Sequence, residues 1–284
     1  MISVIMPTHN RPPMLHVTLL SVFSQNFDDY EFIVADASPD RYFEKECESL
    51  FDTFPNLSPY RNRMSKMKIV YPECDPKCPD AVKTEGMKHA RQDDDMYVFL
   101  DHDDFLGNGI LSYVRLATTQ YPDTEQVSAD YTSICYNAGT VFTNTSTYGY
   151  GDVCGSSDTI WVDNMFFRFD EPQNIYRSVH PWKSAICPKI ISKKTVRGRR
   201  FVFMKDTGVM DDVLWPVMTH SLRETSVHAV GYVYVAYVDG YFTNSCNSDI
   251  KASDTTDRYA KICETYSEML DEIGYVKQRN ICLI

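Results

Sequence analysis

The sequence predicts an α/β fold, a mostly parallel sheet flanked by helices. Three observations carry that expectation. Apolar runs of strand length recur along the first hundred residues, segments of helical spacing lie between them, and each run closes on a proline, a turn or a polar group.

The first run covers residues 2–6 and is closed by Pro7. Pro12-Pro13 then opens a segment with Leu15, Leu19, Leu20, Val22 and Phe23 at helical spacing, and proline in a first turn loses no hydrogen bond. Glu31-Phe32-Ile33-Val34-Ala35-Asp36 reads as a buried strand ending in an acid and a Ser38-Pro39-Asp40 turn. Lys68-Ile69-Val70-Tyr71, stopped by Pro72, reads as another. Residues 81–90 predict a helix, and Met96-Tyr97-Val98-Phe99-Leu100 a fourth strand that runs into Asp101-His102-Asp103-Asp104. The predicted order is β-α-β-β-α-β. Ligands of open parallel sheets sit outside the carboxyl ends of the strands. Thr8-His9-Asn10, Asp36 and the Asp101 to Asp104 group all fall there.

Beyond Asp104 the texture changes. Residues 109–121 predict a helix, and residues 127–161, rich in Thr, Ser, Tyr and Gly, suggest short strands and a long loop. Residues 230–237 alternate as a strand. Residues 254–273 close the chain as an amphipathic helix, capped by Asp254 and ended by Gly274. No repeat is apparent, so residues 1–106 and 107–284 are expected to pack as one composite domain.

Composition narrows the classes. The 284 residues are 43% hydrophobic and 24% charged, which excludes collagen, coiled coil and wholesale disorder. No apolar stretch approaches the roughly 18 residues of a membrane span. Residues 1–6 carry no basic leader, and with nine cysteines lacking metal-ligand spacing the expectation is a cytoplasmic protein with free thiols. Cys74 and Cys78 form the one close pair. The formal charge of −11 argues against indiscriminate polyanion binding, yet residues 183–205 hold eight basic side chains and no acidic one.

Aspartates at i, i+2 and i+3 after an apolar strand concentrate charge that must be neutralised, and hard oxygen ligands suit Mg(II) or Mn(II). Mg(II) is commonly held by one or two carboxylates plus substrate phosphates, so a nucleoside diphosphate would come to the same edge. The competing reading is a solvated acidic turn.

Three segments in order resemble family 2 glycosyltransferases of the GT-A fold. The opening Ser3-Val4-Ile5-Met6-Pro7-Thr8-His9-Asn10-Arg11, followed by Leu15, Thr18-Leu19-Leu20-Ser21-Val22 and Gln25, is similar to their start. The segment from Tyr30 to Ser38 is similar to their second strand and its Val-Asp-Asp-Gly-Ser turn, and Asp101-His102-Asp103 to their metal-binding DXD motif. The resemblance implies a Rossmann-like sheet with a smaller mixed acceptor-side region and a metal-dependent, inverting transfer from a nucleoside diphosphate sugar, with UDP favoured. It implies that Pro7, Thr8 and Asn10 line the nucleotide pocket, that Asp36 accepts a hydrogen bond from the base, and that Asp101 and Asp103 hold Mn(II) or Mg(II). Asp104 would contact the sugar or support the metal site. Val82-Lys83-Thr84-Glu85-Gly86 stands where the family has Ala-Arg-Asn-x-Gly, which gives Lys83 a phosphate.

In the second half, Met210-Asp211-Asp212-Val213 resembles the family's Glu-Asp motif, in which the second acid is the general base, here Asp212 beside Asp211. An acceptor hydroxyl is a poor nucleophile until a carboxylate takes its proton. Acids at a helix amino terminus are the alternative reading of that pair. Trp182 is placed to stack on a sugar or to pack in the core. The basic run, with Arg199 and Arg200 at its centre, suits a polyanionic acceptor: an anionic glycan, a lipid-linked phosphate, or a nucleic acid with hydroxylated bases. Its alternative is a solvated loop offsetting nearby acids. Two other functions stay open. A catalytically lapsed nucleotide-sugar or glycan binding module is allowed by Ala37 and Thr84, and a nucleotidyltransferase would need a glycine-rich phosphate loop that Thr8-His9-Asn10-Arg11-Pro12-Pro13 lacks.

Overall fold

A computed structural model describes residues 1–9, 15–74, 79–93, 95–137, 140–146, 159–161, 166–169, 189–198 and 222–237. Strand β1 (Ile2–Thr8) is buried at every position. It pairs in parallel with β2 (Tyr30–Asp36) on one side and with β4 (Met96–Phe99) on the other, and β2 pairs in parallel with β3 (Met67–Val70). Successive side chains point to opposite faces, so each strand feeds two cores. Ile2, Val4, Met6, Phe32, Val34 and Val98 pack with helices α1 (Leu15–Phe23), α2 (Tyr42–Thr53) and α4 (Ile110–Gln120). Ile5, Ile33, Ala35, Tyr97 and Phe99 pack with α3 (Pro79–Lys88). Burial on both faces explains why these strands read as continuous apolar runs.

The predicted β-α-β-β-α-β order lacks one unit. Between β2 and β3 lie α2 and a 3-10 helix (Ser58–Lys66). Helix α2 buries Tyr42, Phe43, Cys47 and Phe51 while its other positions are largely acidic or polar, so it offers a helical period but no apolar run. Helix α3 approaches the sheet closely at Gly86, where a Cβ would stand 2.8 Å from Ile5 Cγ2. The absent side chain is what lets this helix lie against β1.

The spatial order β3-β2-β1-β4-β10-β6-β11-β9-β8 makes one continuous sheet, eleven-stranded among the described residues once β5 and β7 are added. Beyond the four parallel strands, β10 (Lys189–Ser192) runs antiparallel between β4 and β6 (Gln126–Asn137), and β11 (Glu224–Tyr237) runs parallel to β6. Strands β7 (Thr140–Ser146), β9 (Phe166–Phe169) and β8 (Thr159–Trp161) complete the far side. The expectation of short strands over residues 127–161 is corrected here: β6 has 12 residues, and β11 begins at Glu224 rather than 230. β6 has a neighbour on each side, β10 and β7 or β11, and interior pairing sustains long strands. Register shifts between Val227 and Val230 and between Val230 and Tyr232 interrupt the alternation that would have revealed β11 from its start. Gly231 lies in that irregular stretch, where a Cβ would meet Ala129 Cβ at 2.6 Å and Ile110 Cδ1 at 2.7 Å. The helix expected over residues 254–273 lies outside the described residues.

Candidate functional site

Strand order reverses between β1 and β4, and the crevice outside their carboxyl ends is where such sheets bind ligands. Thr8 ends β1, with Pro7 one residue inside the strand, and Asp101 to Asp104 follow β4. Asp36 ends β2 in register with Thr8. Lys83 reaches the same edge from the first turns of α3. Of the expected donor residues, the structure therefore brings Pro7, Thr8, Asp36, Lys83, Asp101 and Asp103 to one end of the parallel strands. Asn10, Trp182, Arg199, Arg200, Asp211 and Asp212 lie outside the described residues.

The Asp101 to Asp104 turn is held from three directions. His102 Nδ1 meets Thr8 Oγ1 at 3.2 Å and accepts a 3.4 Å bond from the His9 amide, tying the turn to the end of β1. Thr18 Oγ1 donates to the His102 carbonyl at 2.9 Å, Ser21 Oγ accepts from the Leu106 amide at 3.0 Å, and Gln25 Nε2 donates to the Gly107 carbonyl at 2.9 Å. These three side chains recur at i, i+3 and i+7, a polar stripe on one face of an otherwise apolar stretch. From below, the Tyr232 hydroxyl donates to Asp104 Oδ2 at 2.7 Å, and β5 (Phe105–Leu106) pairs antiparallel with β11 at Leu106 and Tyr232.

The acids of the turn have different environments. Asp104 is 3% exposed, so its bond to Tyr232 is made in the core. Asp101 is open to solvent, and its Oδ1 lies 3.0 Å from Nζ of Lys83, whose side chain is 1% exposed. Burial pushes the Asp103 carboxyl above the usual carboxylate range, the Asp101 charge adds to the push, and His102 and Lys83 oppose it. Asp36 is buried and accepts two backbone bonds, from the Ser38 amide at 2.9 Å on Oδ1 and from the Phe43 amide at 3.1 Å on Oδ2. It thereby fixes the turn into α2 and holds a negative oxygen pair at the strand end. Each carboxylate oxygen has a second lone pair for a further donor.

Beside Asp36 the edge carries two residues that the sequence pattern did not mark. The Arg41 guanidinium sits 4.4 Å over the Tyr71 ring, and the Tyr71 hydroxyl donates to Glu44 at 2.6 Å. Burial, reinforced by that hydrogen bond and the Glu44 charge, pushes the Tyr71 phenol up to about 12. Arg41 takes a left-handed backbone, φ 52°, at the start of α2. A cation-aromatic pair in a chain turn leaves no spacing signature, which is why only the structure reveals it.

The donor chemistry for a divalent ion is present, since two hard carboxylates at i and i+2 suffice when phosphate oxygens supply the remaining ligands. Among the described residues no group of three or more His, Cys, Asp or Glu side chains forms a ready-made cage. The residues thus fit an ion shared with a diphosphate, with one condition: Lys83 already neutralises Asp101.

The basic run is corrected in part. Lys193 is fully buried, and its Nζ donates to the Met1 and Arg91 carbonyls, each at 3.0 Å, and to Asp93 Oδ1 at 2.7 Å. Three acceptors satisfy all three ammonium protons. Arg197 donates to the Asp93 carbonyl at 2.9 Å. Lys193 thereby ties helix α5 (Lys193–Gly198) to the segment before β4 and is closed to a ligand, whereas Arg197 stays exposed. A cleft of about 890 Å³ also opens at this rear end of the strands, among Met1, Asp95, Thr124, Lys194 and Arg223. It is remote from the carboxyl ends where the acids converge.

An open sheet whose order reverses between β1 and β4, flanked by helices, matches the GT-A fold of the structural neighbours below. The glycosyl transferase family 2 model matches residues 3–115. The structure is similar to residues 1-349 of TarS from S. aureus in complex with UDP-GlcNAc, with a TM-score of 0.62 and 15% identity over 90% of this chain and 64% of that one. Longer TarS gives a TM-score of 0.57 at 15% identity, covering 93% of this chain and 43% of its own. The mannosyltransferase PcManGT from Pyrobaculum calidifontis, in complex with GDP-Man and Mn2+, gives 0.50 at 15% identity over 93% and 64%. The chain therefore spans less than two thirds of these proteins, and the likeness is one of fold. A comparison with curated proteins finds no match. Among the described residues, no helix is long and apolar enough to cross a membrane.

Proposed function

We propose that the chain is an inverting glycosyltransferase that moves a sugar from a nucleoside diphosphate donor to an acceptor hydroxyl, with Mn(II) or Mg(II) at Asp101 and Asp103. The observation that carries this reading is convergence: Thr8, Asp36, Lys83, Asp101 and Asp103 arrive from four separate elements at the β1/β4 crevice. TarS in complex with UDP-GlcNAc and with UDP favours a UDP-sugar, and the mannosyltransferase with GDP-Man and Mn2+ supports a divalent ion.

In this reading Pro7, Thr8 and Asn10 line the nucleotide pocket and Asp36 accepts a hydrogen bond from the base. Lys83 meets the diphosphate, and the divalent ion supplies further neutralisation of the leaving group. Asp212 takes the acceptor proton as the acceptor oxygen bonds to the anomeric carbon, while the bond from that carbon to the diphosphate oxygen breaks with inversion. Asp104 supports the metal turn from beneath, Asp211 and Trp182 face the sugar or acceptor, and Arg199 and Arg200 receive an acceptor that carries negative charge.

A thermal-shift screen of UDP, GDP, ADP and CDP with and without Mn(II) tests the donor half. A ligand at one hundred times its Kd stabilises the native state by about 2.7 kcal/mol. The expected result is a Mn(II)-dependent shift for UDP. The absence of a shift with every nucleotide would overturn the reading and leave a binding module whose chemistry has lapsed.

A further inference from the structure

The buried Lys83 ammonium stands 3.0 Å from the Asp101 carboxylate, one of the two oxygen donors that the turn after β4 offers to a cation. The two ends of this pair are unlike. Lys83 is 1% exposed, whereas the Asp101 side chain is 39% exposed and therefore open to solvent on the side away from Lys83. Helix α3 presents Lys83 to the edge from close contact with the sheet, since a Cβ at Gly86 would stand 2.8 Å from Ile5 Cγ2.

A cation approaching Asp101 meets a resident positive charge. Two like charges a few ångströms apart repel strongly at the modest effective dielectric of a protein edge. Drawing Asp101 onto the incoming ion would also weaken its 3.0 Å ion pair with a buried ammonium, and loosening a buried ion pair is unfavourable. Both penalties vanish when the ion arrives with a diphosphate, since phosphate oxygens give Lys83 a replacement anion in the same place.

We infer that Lys83 is a resident counter-ion that closes Asp101 to a bare divalent cation and couples cation capture to the arrival of the donor's diphosphate. This rests on the reading of Asp101 and Asp103 as the cation site and adds a binding order to it. Coupling of this kind is reciprocal: the factor by which UDP tightens Mn(II) is the factor by which Mn(II) tightens UDP. Lys83 is thus a positioning residue for the cation as well as a contact for the phosphates.

The test is direct binding, without turnover. Free Mn(II) is followed by electron paramagnetic resonance during titration of the full chain, with and without UDP, for the wild type, Lys83→Met and Asp103→Ala. The expected result is that Lys83→Met binds Mn(II) alone at least ~10-fold more tightly than the wild type, and that the enhancement by UDP shrinks by a similar factor. Adding Asp103→Ala to Lys83→Met should abolish the gain, which places it at this turn. If Lys83→Met fails to fold, Lys83→Gln removes the charge while keeping a hydrogen-bond donor and is read in the same way. Mn(II) affinity that is unchanged or weaker in the variant, with UDP-dependent Mn(II) binding intact in the wild type, overturns this inference alone. Absence of UDP-dependent Mn(II) binding in the wild type overturns the cation site and this inference together.

Discussion

The Tyr232 hydroxyl donates a 2.7 Å hydrogen bond to Oδ2 of Asp104, joining the last acid of the turn after β4 to a strand 128 residues further along the chain. Both side chains are buried. Burial, followed by the nearby charges of Asp104 and Asp101, pushes the phenol well above its ordinary pKa, so its proton stays on oxygen and the bond keeps its direction. The turn after β4 is thereby fastened to the second half of the sheet.

Tyr232→Phe keeps the ring and removes the donor. The buried Asp104 carboxylate then loses this donor, at a cost of about 1–3 kcal/mol in urea denaturation. Mn(II)-dependent UDP affinity should fall as the turn loosens. Unchanged stability would show that Asp104 finds another donor.

Gly231→Ala tests the contact beneath that bond. The added methyl group would press on Ala129 and Ile110, between β6 and α4, both rigid in the core. Overpacking of this kind should destabilise the fold by about 1–3 kcal/mol, read as a lower midpoint in guanidinium chloride. A neutral result would mean that α4 can move away from the sheet.

Asp103→Ala should abolish the Mn(II) dependence of UDP binding while the chain stays folded, because the half-buried side chain lies in the turn after β4 and its removal deletes no apolar packing. Isothermal titration of UDP with and without Mn(II) decides it. Retained dependence would remove Asp103 from the cation site.

Asp212→Asn should leave UDP affinity near that of the wild type while sugar transfer falls by at least ~100-fold, the low end for loss of a general base. Single-turnover transfer measured beside nucleotide binding separates the two effects. Near-normal transfer would assign the proton to another group.

A pH dependence belongs to the rear of the sheet. Burial alone would raise Asp93, but its hydrogen bond and charge pairing with Lys193, joined by the Met1 ammonium, outweigh it and hold the carboxyl below its ordinary value of 3.8. A depressed folded-state pKa contributes stability that is present above the unfolded value and lost as pH falls through the folded one. Asp93→Asn should therefore lower the urea midpoint at pH 5 to 7, with the gap to the wild type closing below about pH 4. A gap independent of pH would mean that the loss is one of packing.

How far the sequence revealed this molecule can be followed through its elements. Strands β1, β2 and β4 are legible because burial on both faces demands unbroken apolar runs; β1 and β2 end in Thr8 and Asp36, and Asp101 follows β4 by two residues. Helix α2 is hidden because only one face is buried, so its acids dominate the local composition. The polar stripe Thr18, Ser21 and Gln25 was quotable as part of a resemblance, but its purpose, to hold the turn after β4, depends on contacts more than eighty residues away. The same is true of Lys193, whose charge suggests surface and whose three acceptors come from remote backbone and side chains. Local patterns identify what a segment is, whereas partners across the sheet decide what each polar residue does.

The insertion of β10 between β4 and β6 also sets a schedule for synthesis. When a ribosome has released the first hundred residues, β3, β2, β1 and β4 can already pair, yet β4 presents a bare backbone edge until Lys189 to Ser192 emerges some ninety residues later. At roughly 5–20 residues per second that edge stays open for about 5–20 seconds, long enough to meet another nascent chain. A clone ending at residue 106 would freeze the molecule at this moment, with its edge permanently available for pairing between copies.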